Sequence, residues 1–544
     1  MELDLRLHTS LEKVFPDMLT MEGDGPEELQ LFQNETASFQ ASWRVSDGSE
    51  RREICWGLES PIAGCVRVRR VLSVPVGLAA FTDADEDYLR TEPGLYPDLL
   101  TENGLKNLYA YPGQRCCLWL DVEPDGLAAG EYPLTIWMGL DGRRLAERSI
   151  TVRVLPGALP PQKLIHTRWL HGDCLCEAYG VEPMSDDFFR IAENFMATAV
   201  RRGVNAVLTP IHTPPLDTAV GGERMTVQLV RIRKRGAQYD FDFALLDRWV
   251  DTARRAGMVW FEMAHLFSQW GAKAAPKIVA TVDGEEKRIF GWDTPADSAE
   301  YRAFLAQYLT ALCAHLRALG VADRCFFHIS DEPSSDHLDL YRSARESVEP
   351  YVKGFAIVDA LSDYSFYQTG AVTTPVVATN HIQPFIDAGV PGLWCYYCVS
   401  QNRLVSNMFM AMPSARNRIL GVQLYLYRIA GFLHWGYNFY HSQYSRSVIN
   451  PYLVTDGDGF SPSGDPFIVY PGPGGVPEES IRLMVTAEAL QDLRALTWLE
   501  QLRGREFVEQ LIGADITFDR YPKGADFVLS LRRRVNEAIV AAQK

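Results

Sequence analysis

Two neighbouring carboxylic acids follow a strand-like apolar run near the middle of the chain. The run covers residues 325–330, and Asp331, Glu332 and Pro333 come directly after it. A buried strand has little use for adjacent acids, because a carboxylate taken out of water is costly unless it is paired. Pro333 is expected to hold Glu332 in an extended conformation and to end the strand. The pattern indicates acid–base chemistry at the end of a strand.

The same acids have a second interpretation, in which they cap a helix. Asp and Ser favour helix N-termini, and a helix is predicted to begin near residues 334–336. The two interpretations are evenly matched on these residues alone, so the choice depends on the rest of the chain.

Residues 1–158 predict an antiparallel β-sandwich. Short alternating apolar and polar runs, such as residues 37–43 and 132–137, are separated by turn residues. The last of these runs, residues 148–155, leads into the Pro- and Gly-containing segment 156–161. We therefore expect a first domain over residues 1–158 and a second over residues 159–544.

After this boundary the pattern alternates between strands and helices, as in an α/β fold. Eight strand candidates follow one another: Leu164–Leu170, Ala206–Ile211, Val259–Leu266, Cys325–Ser330, Gly354–Ala360, Val376–Asn380, Gly392–Cys398 and Gly431–Tyr437. Amphipathic segments lie between them: Asp186–Arg202, Phe243–Ala256, Ala299–Leu319 and Asp336–Tyr351. Eight such units predict a closed (β/α)8 barrel of the TIM type, with residues 478–502 as its last covering helix and residues 503–544 as a helical extension.

Catalytic residues of such a barrel collect at the carboxyl ends of its strands. Besides the two acids, these ends carry ten candidate substrate-binding residues: His171, Asp173, His212, His265, Asn380, Tyr396, Tyr397, Trp435, Tyr437 and Asn438. Aromatic faces beside carboxylates and amides suit a sugar, because its C–H face stacks on a ring while its hydroxyls need hydrogen bonds. Each residue alone could be structural, but their convergence on one rim indicates a carbohydrate site.

The placement of acids predicts a particular mechanism of glycoside hydrolysis. Most glycosidases pair a proton donor with a second carboxylate, and in a common barrel arrangement these follow strands four and seven. Here the seventh strand runs into residues 394–400 without any acid. Two adjacent acids without such a partner indicate substrate-assisted catalysis, in which the sugar's 2-acetamido oxygen attacks the anomeric carbon.

In this scheme the two acids have separate roles. Asp331 would stabilise the acetamido group and the oxazolinium ion formed from it, and Glu332 would act as general acid and base. If a protein nucleophile operates instead, Asp359 is the candidate.

The stretch 328–333, the run 435–438 and the sandwich-then-barrel order resemble glycoside hydrolase family 123 and related bacterial proteins that share its barrel. The resemblance implies a β-N-acetylgalactosaminidase that removes a terminal N-acetylhexosamine. It also implies that the family's Asp-Glu pair corresponds to Asp331 and Glu332.

Composition limits the partners. The chain has 69 acidic and 53 basic residues, and its net charge of −16 repels nucleic acids and anionic membranes. No stretch reaches the roughly 18 consecutive apolar residues of a membrane span, and the first residues lack a signal-peptide pattern, so a cytoplasmic location is predicted. Ten cysteines are too few for a disulfide scaffold. We expect a carbohydrate substrate and no cofactor, while a homo-oligomer stays open.

Two other function classes stay open as well. One is a metal-dependent barrel hydrolase, which would use side chains at strand ends: His171, His212, His265 and His328, with Asp173 or Asp331. The other is a carbohydrate-binding protein that kept the fold without catalysis. Because the pair Cys395 and Cys398 has no second CxxC partner, no metal site is predicted.

Overall fold

The computed structural model describes residues 3–20, 25–46, 50–124 and 126–543. The strands that precede residue 158 are β1 (Leu3–Thr9), β2 (Glu28–Phe32), β3 (Ala37–Val45), β4 (Arg52–Glu59), β5 (Val66–Val76), β6 (Gly94–Thr101), β7 (Leu108–Ala110), β8 (Cys116–Val122), β9 (Gly130–Leu140) and β10 (Arg143–Leu155).

The later strands are β11 (Ile165–Arg168), β12 (Ala206–Thr209), β13 (Arg231–Arg235), β14 (Gln238–Asp242), β15 (Trp260–Met263), β16 (Ile278–Val282), β17 (Glu285–Phe290), β18 (Cys325–Phe327), β19 (Ala356–Leu361), β20 (Thr374–Ala378), β21 (Trp394–Tyr396), β22 (Gly431–His434), β23 (Val469–Tyr470) and β24 (Glu478–Ser480).

Over residues 165–434, all of which the structure describes, eight parallel strands close into a barrel in the order β11-β12-β15-β18-β19-β20-β21-β22. Each of the eight predicted strands overlaps one of them, so the predicted barrel is confirmed. Alternate side chains point to opposite sides of a strand: Leu208 and Val376 belong to the interior cluster, whereas Val207 and Val377 join the layer beneath the helices. This alternation decides which strand-end residues face the centre.

The helices are α1 (Gly172–Tyr179), α2 (Asp186–Arg201), α3 (Ala244–Ala256), α4 (Ala299–Ala318), α5 (Leu338–Val348), α6 (Ser365–Gln368), α7 (Gln383–Asp387), α8 (Ser414–Arg418), α9 (Leu420–Leu426), α10 (Ile481–Arg503), α11 (Arg505–Ile512) and α12 (Ala525–Ala542). Serine hydroxyls begin three of them: Ser185, Ser298 and Ser480 accept the N–H three residues ahead at 3.2, 3.3 and 3.2 Å. Among the described helices, none combines the length and apolarity that a bilayer span requires.

Two sheets occupy the N-terminal part of the described chain. One has seven strands in the order β1-β3-β8-β5-β6-β24-β23, and the other has five in the order β2-β10-β9-β4-β7. Leu5 and Leu120 of the first sheet share a hydrophobic cluster with Ile136 and Val152 of the second. Because β23 and β24 come from residues 469–480, the first sheet extends across the boundary predicted near residue 158.

Two inserted hairpins follow the second and third barrel strands. β13 and β14 come after β12, β16 and β17 come after β15, and the four form one sheet in the order β14-β13-β16-β17. The sequence pattern did not predict these strands. The loops that lead into them, residues 210–230 and 264–277, contribute to the site described below.

A buried ion cluster attaches β24 to its neighbours. Glu479 accepts hydrogen bonds from Arg69 at 2.5 Å, Arg67 at 3.0 Å and Arg202 at 2.5 Å. Burial disfavours the Glu479 charge, but the guanidinium groups of Arg202 and Arg69 outweigh this effect and hold the pKa of the carboxyl well below its usual range. Since Arg202 directly follows α2, the cluster connects the barrel's helix layer with the N-terminal sheet.

We expect Glu479→Gln to lower the free energy of unfolding by about 3–5 kcal/mol, because the buried guanidinium groups lose their counter-charge. The stabilisation should be present above the unfolded pKa of Glu and disappear as the pH falls, since the folded pKa is depressed. Urea unfolding measures it, with Glu131→Gln as the control because that side chain is 65% exposed. A loss no larger than the control's would contradict a structural role for the cluster.

Candidate active site

A cavity of about 110 Å³ lies at the carboxyl end of the barrel. Residues in the last part of barrel strands or in the segments after them form its wall: Trp169, Leu216, Asp217, Gln269, Trp270, Asp331, Glu332, Ala360, Tyr396, Cys398, Val399, Leu433, Trp435 and Phe460. This is where a barrel places its catalytic groups. Carboxylates and aromatic rings therefore meet in one concave space.

Asp331 and Glu332 both line this cavity although they are adjacent in the sequence. Neighbouring side chains of an extended strand point to opposite faces, but β18 ends at Phe327 and Glu332 has a φ of 43°. Such a backbone conformation costs a non-glycine residue about 1–3 kcal/mol. The expectation that Pro333 keeps Glu332 extended is wrong, because the loop imposes a turn that brings both acids to one wall.

Each acid has its own hydrogen-bond partner. Gln269 Nε2 donates to Asp331 Oδ2 at 3.0 Å, and the Tyr396 hydroxyl donates to Glu332 Oε1. The helix that follows, α5, begins after His337 without any side-chain cap. The helix-capping interpretation of the two acids therefore fails.

The two acids also control each other's ionisation. Burial raises the pKa of Asp331 to about 7, and the neighbouring Glu332 charge acts in the same direction while the Gln269 hydrogen bond opposes it. Burial raises the pKa of Glu332 as well, and the Tyr396 hydroxyl opposes that rise. Two acids that disfavour each other's charge lose their protons in separate steps. Desolvation therefore makes the pair retain a proton to a higher pH than free carboxylic acids do.

A buried charged network adjoins the pair. His328 Nε2 lies 2.6 Å from Glu262 Oε1, His328 Nδ1 lies 3.6 Å from Asp359 Oδ1, and all three side chains are 0% exposed. Burial works against the His328 charge, but the carboxylates of Asp359 and Glu262 raise its pKa to about 9. Burial has the largest effect on the pKa of Asp331 and raises it. The His328 imidazolium acts in the opposite direction, lowers this pKa and so favours the ionised form of Asp331.

Glu262 connects the network to the cavity wall. Its Oε1 accepts the indole N–H of Trp169 at 2.8 Å, and its Oε2 accepts the Thr167 hydroxyl. The His265 ring stacks on His328 with centroids 4.2 Å apart. Side chains at the ends of β11, β15 and β18 are thereby fixed relative to one another.

Trp435 forms another part of the wall and is oriented from behind. Its indole N–H donates to Asp465 Oδ2 at 2.8 Å, and its carbonyl lies 2.9 Å from His171 Nε2. Burial raises the pKa of Asp465 to about 7. Besides burial, the Asp465 charge raises the pKa of Glu332. Asp465 therefore has two effects on the site: it orients the Trp435 indole, and its charge disfavours ionisation of Glu332.

The cavity brings together four of the residues predicted for the site: Asp331, Glu332, Tyr396 and Trp435. The other predicted residues lie outside its wall: His171, Asp173, His212, His265, Asn380, Tyr397, Tyr437 and Asn438. The structure therefore does not place all the strand-end polar residues on one rim.

Strand alternation accounts for Tyr397, which lies outside the cavity wall, whereas Tyr437 lies beyond the end of β22. Tyr396 belongs to the barrel-interior cluster, whereas Tyr397 packs on the helix side with its hydroxyl 3.4 Å from Asn417 Oδ1. Tyr437 is also on the helix side, where its hydroxyl donates to the carbonyl of Phe195 at 2.8 Å. For Tyr396 and Tyr397, position along β21 rather than residue type decides which ring reaches the cavity.

Three other predicted residues fix the start of α1. Asp173 forms two hydrogen bonds with Arg224, at 2.6 and 2.7 Å. Asn438 Oδ1 accepts the backbone N–H of His171 at 2.8 Å, and its amide donates to the carbonyl of the same residue at 3.1 Å. Their polar groups are used within the protein, so they act behind the wall.

Among the remaining predicted residues, His212 and Asn380 form internal hydrogen bonds, while neither ring nitrogen of the buried His265 has a hydrogen-bond partner among the described residues. His212 Nε2 lies 2.8 Å from the carbonyl of His265, and Asn380 Oδ1 accepts from Gln401 at 2.8 Å.

The histidines suggested as metal ligands, all in the described part of the chain, form no common donor cluster. In the described part of the chain, the one group of at least three potential ligands within 4.8 Å is Cys174, Glu177 and His441.

Asp359, the candidate protein nucleophile, is not part of the cavity wall. Its Oδ1 accepts the N–H of Ile329 at 2.8 Å, and its Oδ2 accepts the Tyr341 hydroxyl at 2.5 Å. It supports the loop that carries the two acids. Asp217 is the further carboxylate that the wall contains.

Sequence reasoning missed several wall residues. Asp217, Gln269 and Trp270 lie in the long loops that lead into the inserted hairpins, and Phe460 and the supporting Asp465 come well after β22. Loops of this length carry no periodic pattern that would fix their direction. The one available signal was the Gln-Trp pair in the loop after the third barrel strand.

A barrel with paired acids at its carboxyl end is an arrangement typical of glycosidases. A family model described as "Glycoside hydrolase 123, catalytic domain" matches residues 169–499. The match covers more than half of the chain, and the chain belongs to glycoside hydrolase family 123.

Among solved structures, a family 123 glycoside hydrolase from Clostridium perfringens, studied for glycolipid glycan hydrolysis, is similar over 99% of this chain and 99% of its own, with a TM-score of 0.76 and 15% identity. At this identity the likeness shows the fold. A Bacteroides ovatus xyloglucanase aligns over 90% of this chain and 100% of its own at a TM-score of 0.33 and 8% identity, which is too low to carry an argument. The curated proteins contain no match.

The His328 network predicts a pH-dependent loss of stability. The folded pKa of about 9 exceeds the ordinary value of 6.5, so the charged form contributes stability that is fully present below pH 6.5 and is lost as the pH rises through 9. The stability difference between wild type and His328→Asn should shrink by about 3 kcal/mol between pH 6 and pH 10.

Urea unfolding at both pH values measures this difference. His381→Asn is the matched control because that side chain is exposed. An equal effect of His328→Asn at the two pH values would contradict a folded pKa raised above the ordinary value.

Proposed function

We propose that the protein removes a terminal β-linked N-acetylhexosamine by a retaining, substrate-assisted mechanism. The preferred sugar in this proposal is N-acetylgalactosamine. The observation that carries the proposal is that Asp331 and Glu332, although adjacent, line one cavity and oppose each other's ionisation. Membership of family 123 supports the reaction class. The galacto preference follows from the family resemblance alone.

Asp331 suits the role of holding the acetamido group. Gln269 fixes Oδ2, so the carboxylate is oriented before the substrate binds. When the acetamido oxygen attacks the anomeric carbon, the nitrogen acquires positive charge, and an ionised Asp331 would accept its N–H and stabilise that charge. The His328 imidazolium favours this ionised form.

Glu332 suits the role of general acid and base. In the proposed substrate complex Asp331 is ionised through its contact with the acetamido N–H and Glu332 carries the proton, which it would transfer to the leaving oxygen as the glycosidic bond breaks. The resulting carboxylate would then take a proton from the water that opens the oxazolinium ring. The Tyr396 hydroxyl is placed to stabilise this carboxylate.

The end of β21 supports a mechanism without a protein nucleophile at that position. The strand ends at Tyr396, and the wall continues with Cys398 and Val399 instead of a carboxylate. A sugar with a 2-acetamido group supplies the nucleophile that this arrangement lacks.

We also propose that the chain has two domains. The cluster shared by the two N-terminal sheets supports a β-sandwich over residues 1–158, followed by a catalytic barrel with a helical extension over residues 159–544. The cytoplasmic location also stays a prediction.

We expect Asp331→Asn and Glu332→Gln each to lower kcat by at least about a hundredfold on an N-acetylgalactosaminide, the scale of lost electrostatic or acid–base catalysis. Asp336→Asn, an exposed acid of the same loop, is the matched control and should retain activity. Turnover of either site variant within about threefold of wild type would remove the assignment, since that is far below the expected scale.

A thiazoline analogue of N-acetylgalactosamine should inhibit competitively and bind at least about a hundredfold more tightly than the free sugar, because it mimics the bicyclic intermediate. Inhibition constants measured against the wild-type enzyme check this. If the thiazoline fails and a 2-deoxy-2-fluoro glycoside labels Asp217 instead, the nucleophile belongs to the protein.

A further inference from the structure

Two loops bring an aromatic pair to the edge of the cavity. Trp270, in the loop after β15, is part of the wall, and Tyr444, in the segment after β22, lies beside it. Their ring centroids are 5.6 Å apart and the rings meet at 84°. Both side chains are partly exposed, so the pair lies where the cavity meets solvent.

Asp217 fixes this arrangement from a third loop. The N–H of Tyr444 donates to Asp217 Oδ2 at 3.1 Å, and the Ser445 hydroxyl donates to the carbonyl of Asp217 at 2.7 Å. The N–H of Ala219 donates to the carbonyl of Tyr444 at 3.0 Å. Asp217 itself lines the cavity, and its Oδ1 receives no hydrogen bond from the residues that the structure describes.

The backbone at these positions is strained. Asp217, Trp270 and Tyr444 have φ values of 41°, 55° and 60°, and the acid Glu332 has 43°. Non-glycine residues keep such conformations only where the surroundings hold them, and they concentrate at binding sites. The shared strain around one cavity edge indicates that the directions of these side chains are fixed for a ligand.

We propose that Trp270 and Asp217 form the subsite for the leaving group, and that this leaving group is a pyranose sugar. The inference rests on the proposed function, because it concerns the other side of the bond that Glu332 would protonate. The backbone N–H of Trp270 donates to the carbonyl of Asp331 at 2.9 Å. The indole is therefore held at a fixed position relative to the two acids.

The chemistry of the subsite favours a sugar over an alkyl chain. An indole face stacks on the C–H face of a pyranose, and an unoccupied carboxylate oxygen accepts hydrogen bonds from its hydroxyls. An alkyl chain would also cover the indole, but it would take Asp217 out of water without offering a hydrogen bond, which is unfavourable. A sugar satisfies both groups together.

The test compares two substrates that share the same N-acetylgalactosamine. One is the β-fluoride, which has no leaving sugar, and the other is a disaccharide in which a hexose is the leaving group. We expect Trp270→Ala to lower the ratio of kcat/KM for the disaccharide to kcat/KM for the fluoride at least about tenfold, the scale of one stacking contact. Trp270→Phe, which keeps an aromatic face, should retain most of the ratio.

Asp217→Asn provides an independent variant of nearly unchanged volume and should lower the same ratio. If Trp270→Ala does not fold, Asp217→Asn and Trp270→Phe still decide the outcome. Equal losses on the two substrates would overturn the subsite while leaving the proposed function intact. A wild-type enzyme that cleaves neither substrate would overturn the proposed function, and the subsite with it.

Discussion

Two adjacent carboxylic acids at a desolvated cavity wall disfavour each other's charge, and the site is organised around this constraint. Asp331 and Glu332 are brought to one wall by a strained turn instead of by strand geometry. Gln269 contacts one acid and Tyr396 the other. Asp331 and Glu332 have similar chemistry, so the different roles proposed for them come from their different hydrogen-bond partners.

The positive charge of His328 also acts on the acid pair, in addition to the hydrogen bonds from Gln269 and Tyr396. His328 lies between Glu262 and Asp359 in the barrel interior, and Glu262 also fixes the Trp169 indole in the cavity wall. A buried ion network is weak evidence for stability, because desolvation offsets most of its attraction. Its value here lies in placing a fixed positive charge beside an acid that must ionise.

The fold was largely predictable from the sequence, and the reason is periodicity. The eight barrel strands are apolar runs bounded by loops and separated by amphipathic helices, so tertiary contacts and local pattern agree. The two acids were predictable because polar residues are costly within a buried run and stand out at its end. The contribution of β24 to the N-terminal sheet was not predictable, since a three-residue strand has too little pattern to show its partner.

The rest of the site depends on directions that the sequence does not encode locally. Tyr396 and Tyr397 have the same chemistry, and only the register of β21 decides which one faces the cavity. Trp270 and Asp217 lie in long loops whose course depends on the inserted hairpins. Histidines at strand ends looked like ligands, but buried strand ends also need polar residues to satisfy backbone groups and charges.

The protonation state of the acid pair is the most direct test of this account. Infrared difference spectra between the wild type and Glu332→Gln, recorded across the neutral pH range, would count protonated carboxyl groups at the pair. We predict that the wild type has one protonated and one ionised carboxyl at pH 6 and loses its two protons in separate steps, whereas Glu332→Gln, which has one acid fewer, titrates in a single step. Two fully ionised carboxylates at pH 6, with titration only near the ordinary pKa values of Asp and Glu, would contradict it.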